Sequence, residues 1–366
     1  MAFPLVFAAG GPRERGRAYG AQARDRVHRT VALYEEVFAY YADLGWDEVR
    51  RRAQAFVDPI DAYDVTLLPE VEGIAEGAGL DAEDVLAANL RTEIMFGLDA
   101  RPGKAAMKEC TAMAAGGDGP IVGQTWDWKP GSRDTVVLLV CAPHDRPGFV
   151  TIVEAGLWAK CGMNEAGLAL ATNALQSSRD HGEPGVPYHA VLRRAITSAT
   201  LEEARDAILR GPRASSANYL IGHRDGGVED LEALPGGPSE VHRTAAPALA
   251  HTNHFLRPAP RAFKDLGRID GEDSLTRHTR AEATLAAGSA AVEDLETAFA
   301  SHADEAGPIC VHEDAAQPGP ARYATIAAMV AETATGTMHV AEGNPCEQPF
   351  ETYSLTDLLD RVGVSG

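Results

Sequence analysis

Long apolar stretches are missing from this chain: no run of about 18 apolar residues occurs, so the sequence offers no membrane-spanning helix. Cysteine is scarce and poorly spaced. The five residues at 110, 141, 161, 310 and 346 are odd in number and form no compact repeat, which argues against a disulfide framework and a four-thiolate zinc site. Positive charge is also short, with 33 Lys and Arg against 53 Asp and Glu and a formal net charge of −20. Such a chain repels nucleic-acid backbone and anionic membrane surface. GGPRERG and GGDG carry glycine without the spacing or the Lys-Ser/Thr pair of a nucleotide loop. The opening, MAFPLVFAAGG, has only a short apolar run with no basic segment before it, and Arg13 and Arg15 follow at once, a poor fit to a secretory signal. These absences lead to the expectation of a reducing cytoplasm, with no nucleic-acid or membrane partner.

What is present is a globular composition, 45% hydrophobic and 23% charged, long enough for one large domain or two ordinary ones. Residues 12 to about 100 read as helical. Tyr19, Ala23, Val27, Val31, Tyr34, Val37 and Tyr41 recur at steps of three and four. Trp46 to Phe56 continues the pattern, and Asp81 is a candidate cap for the helix beginning at Ala82. After Lys108 the character changes. CTAMAAGGDGPIVGQTWDW reads as two strands around a glycine turn, DTVVLLVCAP and GFVTIVEAG as a hairpin, and LWAKCGMNEAGLALATNAL as another around Asn164–Gly167. A helix is expected from Tyr188 to Leu209, strands in ANYLIGHRDGGVEDLEAL, a helix from Leu275 to Ala287, and two strands around Gly336. Antiparallel hairpins interleaved with paired helices indicate an α+β fold rather than a doubly wound parallel sheet.

One cysteine stands apart by position. Cys110 opens the first strand of this second region, directly after the basic junction RPGKAAMKE, and Gln124, Thr125 and Asp127 bring polar groups into the following strand. A thiol there has two routes to nucleophilicity. It can use a histidine held by a third group. Alternatively, cleavage of the preceding peptide bond frees an α-amine with a pKa near 7.7–8, which serves as base to the thiol of the same residue.

The string Cys110-Thr111, then Gly123-Gln124-Thr125-Trp126-Asp127-Trp128, then VEAGLWAKCGMNEAGLALATNAL, resembles the acyl-coenzyme A:6-aminopenicillanic acid acyltransferase family of the N-terminal-nucleophile hydrolases. HTNHFL at 251–256, SLTRHTR at 274–280, EGNPC at 342–346 and the opening GGPRERGRAYGAQA are similar to that family's motifs in the same order. The resemblance implies a precursor cut between Glu109 and Cys110, with a helical N-terminal region (1–109, the α chain) remaining associated with a core (110–366, the β chain). It also implies a four-layer αββα sandwich.

By the same resemblance, Cys110 is both the self-processing and the catalytic nucleophile. Asp127 holds its amine or places its thiol, and Asn253 and Asn173 are oxyanion donors. Arg277 or Arg280 approaches the site while the other pairs with an acid, and Ser274 caps their helix. Gln124, Trp126 and Trp128 are substrate-pocket candidates, Gln124 standing where choloylglycine-type hydrolases carry arginine. Glu109 replaces the glycine that precedes the nucleophile in the fungal acyltransferase. No cofactor and no metal are expected: His251 and His254 lack a third ligand, while His302 with Asp304 is a weaker alternative as a base for Cys110. The expected function is an amidohydrolase acting on a small N-acyl amine, N-acyl amino acid or peptide-like amide, with water as acceptor. Acyl transfer to an amine is the alternative, and a ligand-binding homologue without turnover is a third reading. No basic cluster marks a coenzyme A site.

Overall fold

The computed structural model describes residues 3–95, 110–257, 262–270, 272–286, 291–302 and 307–362. In chain order its strands are β1 (Leu5–Gly10), β2 (Ala112–Ala115), β3 (Ile121–Trp128), β4 (Val136–Pro143), β5 (Phe149–Glu154), β6 (Cys161–Asn164), β7 (Leu168–Ala174), β8 (Ala217–His223), β9 (Gly227–Ala233), β10 (Val241–Ala245), β11 (Ala248–His251), β12 (Ala324–Glu332), β13 (Thr337–Glu342) and β14 (Glu351–Ser354). The helices are α1 (Pro12–Gln22), α2 (Arg24–Ala42), α3 (Trp46–Ala53), α4 (Val57–Tyr63), α5 (Leu67–Ala78), α6 (Ala82–Asn89), α7 (Arg91–Met95), α8 (Tyr188–Ile196), α9 (Leu201–Leu209), α10 (Leu266–Asp270), α11 (Glu272–Ala286), α12 (Val292–Phe299) and α13 (Leu355–Val362).

The strands form an eight-stranded sheet, β1-β4-β5-β6-β7-β8-β9-β10, and a six-stranded sheet, β11-β2-β3-β12-β13-β14. β2 and β3 of the smaller sheet face β7 and β8 of the larger. Helices α1, α2, α8 and α9 lie against the larger sheet, and α11 and α12 against the smaller, completing the αββα sandwich. Central strands such as β5 and β7 are buried along their whole length. Covered on both faces, they read as continuous apolar runs rather than alternating ones.

The N-terminal region differs from the expectation in one respect. It is not wholly helical, because β1 pairs in parallel with β4, Leu5 opposite Leu138, as an edge strand of the larger sheet. A parallel partner so distant in sequence leaves no local turn signal. The expected helices also divide: α1 and α2 break at Ala23, and α8 ends before Thr200, whose hydroxyl accepts the Glu203 amide at 3.1 Å to start α9. Asp81 precedes α6 without a side-chain capping bond.

Helices α1 and α5 meet backbone to backbone. A Cβ on Gly16 or Gly20 would press into the carbonyls of Glu70 and Ile74, and one on Gly73 or Gly77 into those of Arg13 and Arg17. Small residues four apart on both helices permit this approach. Beside it, buried Glu70 bonds Arg15 at 2.6 Å and Arg193 of α8 at 3.0 Å, so each desolvated charge has a partner.

Candidate active site

Cys110 sits just ahead of β2, fully buried, with a φ of +42° that few non-glycine residues adopt. Two side chains grip its carbonyl oxygen: Asn173 Nδ2 donates at 2.9 Å and Arg277 Nη1 at 3.0 Å. The Asn173 amide is itself oriented by Asn218, its register partner on β8, whose Nδ2 donates to Asn173 Oδ1 at 3.3 Å. Glu109 lies outside the described residues.

Arg277 is the hub. From α11 its buried guanidinium reaches Thr111 Oγ1 at 3.1 Å through Nη1 and Asn253 Oδ1 at 3.0 Å through Nη2. A planar fork of fixed donors suits such a junction, and a lysine would not reproduce it. Asn253 is held at two further points: its amide N–H donates to Ser274 Oγ at 2.9 Å, and its Nδ2 to the Ala174 carbonyl at 3.1 Å. Ser274 therefore braces the segment carrying Asn253. It lies inside α11, which begins at Glu272, rather than capping it. Arg280 donates to the Gly307 carbonyl at 2.8 Å, with no acidic partner among the described residues.

Strand β3 divides its side chains between two faces, as a period of two requires. Val122 lies beside Gly222 of the larger sheet, and Gln124 Oε1 accepts the Thr172 amide there at 2.7 Å. On the opposite face, Gly123 approaches Phe299 of α12 and Asp127 Oδ1 accepts the Thr325 hydroxyl at 2.6 Å. Asp127 is buried, and its Oδ2 has no hydrogen-bond partner among the described residues. Burial pushes its carboxyl up to about 6, against the opposing pull of the Arg277 charge and the Thr325 hydroxyl. The arrangement gathers amide and guanidinium donors on the residue that carries the Cys110 thiol, and the Arg277 charge also acts on the Asp127 carboxyl.

The profile of the acyl-coenzyme A:6-aminopenicillanic acid acyl-transferase family matches residues 114–347. The chain belongs to this family. It is 29% identical over 359 residues to the 40 kDa form of acyl-coenzyme A:6-aminopenicillanic-acid-acyltransferase of Emericella nidulans, across 96% of this chain and 95% of the relative. Among solved structures it is similar to penicillin V acylase of Agrobacterium tumefaciens, with a TM-score of 0.38 and 14% identity over 64% of this chain and 82% of that one. It is also similar to a conjugated bile acid hydrolase of Clostridium perfringens, with a TM-score of 0.44 and 10% identity over 68% and 94% of the two chains. Membership makes the chain a hydrolase or acyltransferase of the N-terminal-nucleophile superfamily.

Within this family member, Cys110, Asn173, Asn253 and Arg277 form one hydrogen-bonded set. The three pocket candidates separate. Trp126 lies beneath Lys160, whose Nζ is 4.7 Å from its ring centroid, and Gln124 bridges the two sheets. Trp128 turns to the N-terminal helices, its Nε1 donating to Tyr34 Oη at 3.0 Å and its ring covered by Arg91 at 4.6 Å. Both ring nitrogens of His251 face protein oxygens. Its Nδ1 lies 2.7 Å from the Thr252 carbonyl and its Nε2 3.2 Å from Glu232, while burial opposes its charge but Asp230 and Glu232 outweigh that and raise its pKa. His254 packs on Ser274 and His278, its pKa pushed down to about 3 chiefly by burial. His302 faces His312 across 3.0 Å in a second cluster rather than serving Cys110, and Asp304 lies outside the described residues.

Two residues of the site escaped the sequence. Thr325 belongs to β12, and only the antiparallel register sets it opposite Asp127. Lys160 is buried amid LWAKCGM; a charge within so apolar a run was the available signal.

Proposed function

We propose that this chain is a self-processing amidohydrolase in which Cys110 first cuts its own precursor and then a small N-acyl amine, N-acyl amino acid or peptide-like amide. The observation that carries the reading is the convergence of Asn173 and Arg277 on the Cys110 backbone, with Asn253 on the same guanidinium. In processing, the thiol sulfur attacks the Glu109 carbonyl carbon and the C–N bond breaks. The thiol proton passes to the departing nitrogen, now the Cys110 α-amine, and water hydrolyses the thioester to free the Glu109 carboxylate. In turnover, the amine takes the thiol proton as sulfur attacks the substrate carbonyl, then delivers it to the leaving amine. Asp127 supports the charged amine, and the Asn253 amide supports the oxyanion.

The two pieces stay together in this reading because the contacts across the cut are buried. Tyr34 Oη donates to Glu154 at 2.7 Å, Glu93 accepts the Tyr188 amide and the Ser215 hydroxyl at 2.8 Å each, and β1 completes the larger sheet.

Water is the default acceptor. The near full-length likeness to a fungal acyltransferase favours, as a second reading, an amine acceptor that reaches the thioester first. A panel of N-acyl amines and N-acyl amino acids, with and without competing free amine, separates the two by mass spectrometry at early times. Free acid in excess supports hydrolysis, exchanged amide at modest amine concentration makes it a transferase, and no acyl product overturns both.

A further inference from the structure

Far along the chain from Cys110, four side chains with metal-binding atoms meet. His302 follows α12, Cys310 and His312 lie ahead of β12, and Cys346 follows β13. Their ligand atoms all lie within 4.8 Å of one another. The two imidazole Nε2 atoms are 3.0 Å apart, and the two sulfurs 3.5 Å. His312 Nε2 is 4.0 Å from Cys310 Sγ and 3.3 Å from Cys346 Sγ. Tetrahedral zinc, with Zn–N of about 2.0 Å and Zn–S of about 2.3 Å, separates its ligand atoms by roughly 3.3–3.8 Å.

We propose that His302, Cys310, His312 and Cys346 bind one zinc ion in a tetrahedral Cys2His2 site. Two thiolates with two imidazoles are a soft, tetrahedral donor set, which selects zinc over magnesium or calcium. Groups outside the four ligands fit the same reading. The second ring nitrogen of His312 faces Glu347 at 3.8 Å, and Asn344 Nδ2 lies 3.3 Å from Cys310 Sγ, contacts that orient a metal-bound imidazole and soften thiolate charge. Binding replaces two thiol protons with the metal and releases them to solvent. A disulfide between the sulfurs would leave the convergence of both imidazoles unexplained.

The site also bears on Asp127. Val311, between two of the ligands, donates its amide to Thr325 Oγ1 at 2.8 Å and accepts the Thr325 amide at 2.8 Å. With that oxygen accepting from Val311, the Thr325 hydroxyl proton is directed to Asp127 Oδ1. Zinc thus anchors the strut that aims the hydroxyl at the carboxylate.

The test is metal analysis of the full chain, purified under reducing conditions from zinc-supplemented cells and dialysed into metal-free buffer. About one zinc per chain is expected, falling below ~0.1 in the Cys310→Ser/Cys346→Ser double variant. Because that variant can fail to fold, wild-type protein stripped by chelator is titrated with cobalt(II). A tetrahedral thiolate spectrum saturating at about one equivalent supports the site, and zinc should slow alkylation at Cys346 at least ~10-fold. Substoichiometric zinc with no tetrahedral cobalt spectrum overturns the proposal, whether the sulfurs then prove to be a Cys310–Cys346 disulfide or free thiols. An octahedral cobalt spectrum overturns it as well.

Discussion

Two sulfur-bearing regions of this molecule have opposite surroundings. At Cys110 a single thiol-bearing residue is buried, and the side chains around its backbone are donors, the Asn173 amide and the Arg277 guanidinium. At Cys310, which is buried, and Cys346, which is exposed, two sulfurs lie 3.5 Å apart, and imidazole nitrogens converge on them. The donors at Cys110 hold that residue's own carbonyl and so fix the backbone that carries the thiol, whereas converging lone pairs favour a cation. The remaining cysteines give the baseline: at Cys141 and Cys161 burial outweighs the nearby positive charges and pushes each thiol up to about 12, where it is inert. A cysteine's chemistry here follows from its neighbours.

The comparison breaks most readily at Cys110. Cys110→Ala should abolish self-cleavage and turnover, leaving one 38.8 kDa species on denaturing mass spectrometry, while Cys141→Ala should still cleave. Persistent cutting at Glu109-Cys110 in the first variant would remove this residue from its assigned role. Next in size are the donors. Asn253→Ala or Asn173→Ala should lower kcat about 10²–10³-fold with a smaller change in KM. A loss confined to thermal stability would make these asparagines braces only.

Asp127 supplies a sharper test, through pH. Its carboxyl is pushed up to about 6 in the fold, whereas an exposed aspartate titrates near about 3.9. The folded state therefore binds this proton more tightly, and its contribution to stability, full below the unfolded pKa, is lost as pH rises through about 6. Asp127→Asn should gain on wild type across that window, by about 3 kcal/mol at most in chemical denaturation at neutral pH. Turnover by wild type should rise as the carboxyl ionises, and the variant should lack that limb. An unchanged pH profile would assign Asp127 to packing alone. The smallest expected effect lies in the helix crossing of the N-terminal region. Gly20→Ala in the α1–α5 crossing should cost about 1–3 kcal/mol by forcing the helices apart, with the pH profile of turnover unaltered.

By itself the sequence determined the change of regime near residue 110 and the hairpins around Asn164–Gly167 and Gly336, and it singled out Cys110 as the candidate nucleophile. These are local signals: turn residues, periodicity, and a cysteine opening a strand after a basic junction. Its ordered motifs also carried the family, hence the sandwich and the candidates Asn173, Asn253 and Arg277. Only the tertiary structure decided what those motifs touch. That Arg277 spans Cys110, Thr111 and Asn253 depends on α11 lying over β2 and β11, and that Thr325 meets Asp127 depends on strand register. Trp128 turns to the N-terminal helices for the same reason, and β1 had no local sign of its partner 133 residues away, Leu5 opposite Leu138. The four candidate zinc ligands were least legible, because no short motif contains them. Residues 302, 310 and 312, all between α12 and β12, become neighbours of 346, between β13 and β14, only when those two connections meet, a proximity no one-dimensional spacing encodes.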